Sequence, residues 1–190
     1  MTTLAPIIYT RTFPRAAGWL RDLMLIVLGA LFVAVLAQVK ISLPFTPVPL
    51  TGQTFAVLLV GAALGSKRGV TSMLLYSGLG ALGLPVFAGG ASGWMYLSGP
   101  TLGYLVGFVI AVYIIGLLAE RGMERSVQTS ILPFLLGTII IYVCGVTWLA
   151  IMLGSLSKAL AAGLFPFLIG DGIKLLAATL ALPVSWKFVE

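Results

Sequence analysis

Two opposite charges stand three residues apart in an otherwise apolar stretch, "PFLIGDGIKLLAATLALP" (166–183): Asp171 and Lys174. At positions i and i+3 of a helix their side chains project in neighbouring directions on one face, so they can neutralise one another or share a polar ligand. A carboxylate accepts N–H bonds and an ammonium donates three, a combination that suits a small polar molecule with both donor and acceptor groups. Gly170 and Gly172 leave the backbone beside the carboxylate open to close approach. Each charge costs on the order of 2.5–3.5 kcal/mol in the middle of a membrane span, so something must offset it. One answer is a structural ion pair that fixes how the helix packs. The other is a pair lining a cavity or solute path, the usual role of ionisable groups at membrane depth. The binding reading is preferred, because the pair lies towards the outer side in the topology derived below, where a solute would arrive.

The chain around this pair is written for lipid. Of its 190 residues 60% are hydrophobic and only 8% charged, and its mean hydropathy is +1.15. A water-exposed domain of this length needs a polar surface that 11 Lys+Arg and 5 Asp+Glu cannot supply. The net charge of +6 does not point to nucleic acid, since the basic residues lie singly or in pairs between apolar runs and form no stripe; they read as topology signals. Cys144 is alone in an apolar run, which leaves neither a disulfide framework nor a thiolate cluster for a metal, and packing is its reading. Histidine is absent, and with it the usual general base, the usual nitrogen ligand and any Ser-His dyad. A small membrane enzyme using Asp171 and Lys174 as acid and base is therefore the least favoured reading, and neither catalytic residues nor a cofactor are expected. No G-x-x-x-x-G-K-[ST] sequence occurs, so any energy from ATP must come through separate subunits.

Apolar runs near 23–39, 53–65, 69–88, 101–119, 131–154 and 164–184 are the span candidates, against a need of roughly 20 residues per helix. The second is short and follows "ISLPFTPVPLTG", where Pro44, Pro47 and Pro49 forbid a regular helix. Charge decides whether it crosses. With six spans and a cytoplasmic N-terminus, Arg11, Arg15, Arg21, Lys67, Arg68, Arg121, Arg125 and Lys187 lie inside and Lys40 and Lys158 outside, eight to two. Without the short run the same residues divide four inside to six outside, against the positive-inside tendency. The expectation is an all-α integral membrane protein with six transmembrane helices and both termini cytoplasmic: residues 1–22 a cytoplasmic tail or surface helix, residues 23–190 one compact membrane domain. The run from Leu23 to Val39 exceeds the roughly 7–15 residue apolar core of a signal peptide, and no small-x-small cleavage site follows. In this topology the last helix starts near Phe165, with Asp171 about 9 Å and Lys174 about 13 Å below its start.

Two further sets of residues invite a function. Tyr76, Phe87, Trp94, Tyr96, Tyr104, Tyr142, Trp148, Phe165 and Phe167 gather towards the expected outer side and could clasp a fused ring by apolar contact; interfacial anchoring accounts equally well for Trp94 and Trp148. Of these Tyr76, Phe87, Trp94, Tyr96, Tyr142 and Phe167 are expected to line a pocket. Ala30 and Ala34, four apart on the first helix beside Gly29, would let another helix pack closely, either a partner's or a neighbour in the same chain. "GSKRG" (65–69) and "ERGMER" (120–125) read as solvated cytoplasmic turns.

Several stretches, in the order they occur, resemble the BioY family: "ISLPFTPVPLTGQTFAVLLVGAALG" (41–65), "LGALGLPVFAGG" (79–90), "GPTLGYLVGF" (99–108), "GVTWLA" (145–150) and "FPFLIGDGIKLLAATLA" (165–181). That family comprises the biotin-capturing membrane subunits, or S-components, of energy-coupling-factor (ECF) transporters. The resemblance implies the six-helix S-component fold, a biotin pocket open to the outside, residence in the bacterial inner membrane, and partnership with a transmembrane coupling subunit and ATPases. The family's Asp-x-x-Lys pair falls on Asp171 and Lys174, and its glutamine in the "T-x-Q-T" stretch falls on Gln53. By resemblance Asp171 accepts from the ureido N–H groups of biotin, Lys174 meets a ureido or valerate oxygen, the Pro-rich first loop folds over the pocket, and Ala30 and Ala34 dock the coupling subunit. Some family members work without a dedicated module, so a solitary transporter acting as a homo-oligomer is the alternative. Two departures stand out: "FAGGASGWMYLSGPT" (87–101) has no arginine where some relatives carry one, and Leu102 stands where relatives commonly have glycine. The first leaves the carboxylate end of biotin without an obvious partner in that loop.

Overall fold

The computed structural model describes residues 3–13 and 17–187; Pro14 and Arg15 of the sequence reading lie outside them. It is built from helices, in the order α1 (Leu4–Thr12), α2 (Gly18–Gln38), α3 (Gln53–Leu64), α4 (Ser66–Ala81), α5 (Trp94–Leu97), α6 (Leu102–Ala119), α7 (Val127–Leu153), α8 (Leu156–Gly163) and α9 (Leu168–Lys187). Between α2 and α3 a two-stranded antiparallel ribbon, β1 (Lys40–Ile41) and β2 (Leu50–Thr51), pairs Lys40 with Thr51 and Ile41 with Leu50. The Pro-rich segment is thus the loop of a hairpin, consistent with the ban on regular helix there.

Four of these helices, α2, α6, α7 and α9, are long and apolar enough to cross a membrane. The short run becomes α3, with 12 residues or about 18 Å of rise, well below a ~30 Å hydrocarbon core. It needs little lipid contact, because α1, α2, α4, α6, α7 and α9 all pack on it and most of its residues are buried. α6 is the other central element: 56% of its residues are buried, against 28–33% for the other three long helices, whose outer faces carry the exposed Leu, Ile and Val.

Helix α2 begins at Gly18, and residue 22 lies inside it. The segment before it contains a helix, α1, whose Leu4, Pro6 and Tyr9 are buried against α2 and α3. One end of the bundle holds Asp22, which accepts from Arg21 and Arg68 at 3.0 and 2.9 Å, and Glu120, which caps α4 by accepting from Ser66 N–H and Oγ at 2.7 and 2.8 Å. At the other end of α2, about 31 Å away by helix rise, lie the β hairpin and the first turn of α9.

Ala30 and Ala34 do not offer a stripe to a partner. They are 2% and 9% exposed, turned into the chain's own core. The same face of α2 carries Gly29, which meets Leu64 and Ser72 so closely that an added methyl would lie 2.7 Å from either, and the Ser72 hydroxyl donates to the Ile26 carbonyl at 3.0 Å. The small residues of α2 are spent on packing α3 and α4.

Candidate functional site

The last helix starts at Leu168 rather than near Phe165, because residues 164–167 form a turn that follows α8. Asp171 therefore sits in the first turn of α9, about 4.5 Å from its start, shallower than the sequence reading placed it. The position is favourable for a carboxylate, since the unpaired N–H groups at a helix start carry partial positive charge. Asp171 is 6% exposed.

The i, i+3 expectation is met: Lys174 Nζ lies 2.8 Å from Asp171 Oδ1. Neighbouring elements complete the arrangement. Lys174 also donates to the Thr51 carbonyl at 2.6 Å and to Thr54 Oγ1 at 3.1 Å, and Thr54 Oγ1 donates to Asp171 Oδ1 at 2.9 Å. From α7, Tyr142 Oη donates to Asp171 Oδ2 at 2.7 Å. An ammonium has three protons and all three are engaged. A carboxylate has about four acceptor sites; Oδ1 receives two donors and Oδ2 one, so one acceptor site on Oδ2 remains for a guest N–H.

Beside this network lies a narrow cleft that opens to solvent. Asp171, Lys174, Thr51, Thr54, Gln53 and Tyr142 supply its polar wall, and Tyr96, Tyr104, Phe108, Ile141, Phe167, Val48 and Pro49 its apolar one. A mostly apolar cleft with a few convergent polar groups is the usual form of a small-molecule site. The hairpin loop contributes Val48 and Pro49 and is tied across the mouth by Thr46, whose Oγ1 donates to the Ala162 carbonyl of α8 at 2.6 Å.

The predicted residues divide into three groups. Asp171, Lys174, Gln53, Tyr96, Tyr142 and Phe167 line the cleft. Tyr76 and Phe87 stand one layer behind it, 1% and 0% exposed: Gln53 Nε2 donates to Tyr76 Oη at 2.7 Å, Tyr76 meets Phe87 edge-on at 5.5 Å, and Phe87 stacks on Tyr96 at 4.9 Å. Only a glycine fits opposite that stack, since any methyl at Gly80 would collide with the Phe87 ring. Trp94 is outside the cleft and 73% exposed, so it does not join the pocket lining expected of it. Tyr104 lines the cleft and donates to the Gly163 carbonyl at 2.7 Å, whereas Trp148 pins the third loop by donating to Gly99 at 2.9 Å.

Thr51 and Thr54 were not singled out from the sequence. The available signal was the run "TGQT" (51–54), four small or polar residues at the head of an apolar helix.

This bundle, with a buried ion pair beside a cleft at one end, has the architecture of a membrane S-component. It superposes on the S-component for biotin from an ECF-type ABC transporter with a TM-score of 0.81 and 27% identity, over 89% of this chain and 92% of that one. The BioY family model matches residues 6–190, and the chain belongs to the BioY family. It is 44% identical over 154 residues to a probable biotin transporter of Pyrococcus horikoshii, covering 80% of this chain and 90% of that one. With the biotin transporter of Thermotoga maritima it shares 43% over 140 residues, 74% and 82% of the two chains, and with that of Rhizobium etli 35% over 168 residues, 84% and 90%. These relatives are transporters, not enzymes, which removes the acid–base enzyme reading; the chain is a multi-pass membrane protein.

Proposed function

We propose that the chain captures biotin from outside the bacterial inner membrane and carries it inward with the help of a separate ECF coupling subunit and ATPases. In this reading six helices cross the membrane, with α3 as the short second span and α4 as the third, both termini are cytoplasmic, and the cleft faces outward. The observation that carries it is the vacant acceptor site on Asp171 Oδ2 inside a mostly apolar cleft. A ureido N–H can be accepted there without displacing Tyr142, Thr54 or Lys174, and the apolar wall from Phe108, Ile141 and Phe167 suits the fused ring. Lys174, its protons already engaged, positions the carboxylate; it meets a ligand oxygen only by giving up Thr54 or Thr51. Gln53 has an amide proton beyond the one given to Tyr76 and is the second polar contact.

A thermal-shift series of the detergent-purified chain across a vitamin panel tests the substrate. Biotin alone should raise the apparent stability, since a ligand that binds only the folded state stabilises it. Asp171→Asn, inserted at normal levels, should lose that response; wild-type affinity in this variant would refute the assignment.

The burial of Ala30 and Ala34 favours keeping a second reading, a solitary transporter acting as a homo-oligomer, because the proposed docking stripe is already used inside the chain. Biotin uptake in a host that lacks coupling subunits separates the two.

A further inference from the structure

The network around Asp171 spends its own cation. Lys174 donates to Asp171, to the Thr51 carbonyl and to Thr54, so an anionic group on a bound molecule finds no free N–H there. At this end of the bundle the other cations among the described residues are Lys40 and Lys158, and the acid is Asp171; Asp22 and Glu120 sit at the far end. Lys158 is on α8 beside Phe45 and Pro47, around a separate surface hollow. Lys40 is placed differently. It pairs in the hairpin with Thr51, whose carbonyl holds Lys174 and whose hydroxyl donates to Gln53 Oε1 at 2.9 Å.

The Lys40 side chain lies along the glycine-rich third loop. A Cβ at Gly89 would stand 2.6 Å from Lys40 Cδ and 3.3 Å from its Nζ, and Gly89 has φ +68°, a conformation that favours glycine. The loop under the lysine is itself fastened. Gly89 N–H donates to the Ala37 carbonyl at 3.1 Å, Gln38 Nε2 donates to the Phe87 carbonyl at 3.4 Å, and Phe87 stacks on the cleft residue Tyr96. The stem thus lies between the hairpin, which carries the cleft residue Thr51, and the loop that carries Phe87, whose ring stacks on Tyr96. Its ammonium is exposed and has no hydrogen bond or ion pair among the described residues.

We propose that Lys40 is the anion-recognising residue of this site: it takes the carboxylate of a captured molecule whose neutral polar head is held by Asp171. The proposal rests on the biotin reading, since biotin carries a ureido head and a carboxylate tail. The division of labour follows from proton counting. Lys174 is committed to the acid beside it, and Lys40, a cation without a partner among the described residues at the hairpin that carries Thr51, meets the tail, where a charged donor to a carboxylate gives a stronger bond than a neutral one.

The test titrates the full chain in detergent, with its Lys40→Gln and Lys40→Arg forms, against biotin and against biotin methyl ester, which keeps the ring and loses the charge. The wild type should prefer biotin to the ester. Lys40→Gln should bind biotin about five- to tenfold more weakly and the ester within about twofold of the wild type, while Lys40→Arg keeps the preference. Added salt should weaken biotin binding in the wild type more than in Lys40→Gln, because an exposed pair is screened. If Lys40→Gln binds biotin as the wild type does, or loses both ligands equally, Lys40 does not read the carboxylate, and the biotin reading stands untouched. A wild type that binds neither ligand overturns that reading and this proposal together.

Discussion

Tyr142 on α7 and Asp171 on α9 meet hydroxyl to carboxylate at 2.7 Å, and the contact leaves one acceptor site unused on the buried acid, which lines a cleft. The acid is held from three directions, by Lys174 on its own helix, Thr54 on α3 and Tyr142 on α7. Such a group cannot turn to meet a guest; the guest must fit it.

Tyr142→Phe should therefore separate positioning from charge. It removes one hydrogen bond to a charged group, worth about 1.5–3 kcal/mol, and leaves Oδ2 unanchored. Biotin affinity should fall about tenfold or more by calorimetry, with membrane insertion unchanged. Unaltered affinity would mean that Tyr142 plays no part in orienting the acid.

The hairpin loop should act on rates. Thr46→Val breaks the 2.6 Å bond to Ala162 that ties the loop across the mouth, without touching the cleft's polar wall. Dissociation of biotin should speed up several-fold in stopped-flow measurements, and removing 44–49 altogether should speed it further. A dissociation rate equal to that of the wild type in both variants would show that the loop does not gate release.

Ala30→Trp tests what the small residues of α2 are for. Ala30 is 2% exposed inside the core, so a large ring there overpacks the contact with α3 and α4, at a cost of about 1–3 kcal/mol or more. Biotin binding and uptake should fail together, with a lower melting temperature. Intact binding with abolished uptake would instead restore the docking role expected from the sequence.

Glu124, in the turn between α6 and α7, is 1% exposed, and neither of its carboxylate oxygens has a partner among the described residues. Burial pushes its pKa above the ordinary 4.5. The folded state then holds its proton more tightly than the unfolded one, so this group's contribution to stability is fully present below pH 4.5 and is lost as pH rises through the raised folded value. Glu124→Gln should be more stable than the wild type near neutral pH by about 1 kcal/mol, or about 2–4 °C, and should flatten the decline with pH. Thermal melts of both proteins from below pH 4.5 up to neutral pH check the sign.

What the sequence determined by itself was whatever depends on composition and on neighbours a few residues apart. Lipid as solvent followed from having too few charges to cover a surface. The Asp171–Lys174 contact followed from helical periodicity, which brings i and i+3 together wherever the helix lies. The motif order pointed to the family. Tertiary structure alone decided what surrounds the pair. Thr51, Thr54 and Tyr142 reach it across sequence separations of 123, 120 and 29 residues, and their directions are set by how α3 and α7 are rotated against α9. The same rotation turns Ala30 and Ala34 inward, puts Tyr76 and Phe87 behind the cleft, and leaves Trp94 outside it. The apolar helices carry no polar stripe to announce which face is buried, because lipid and protein core are equally apolar, so helix orientation is fixed only by side chains interlocking in three dimensions.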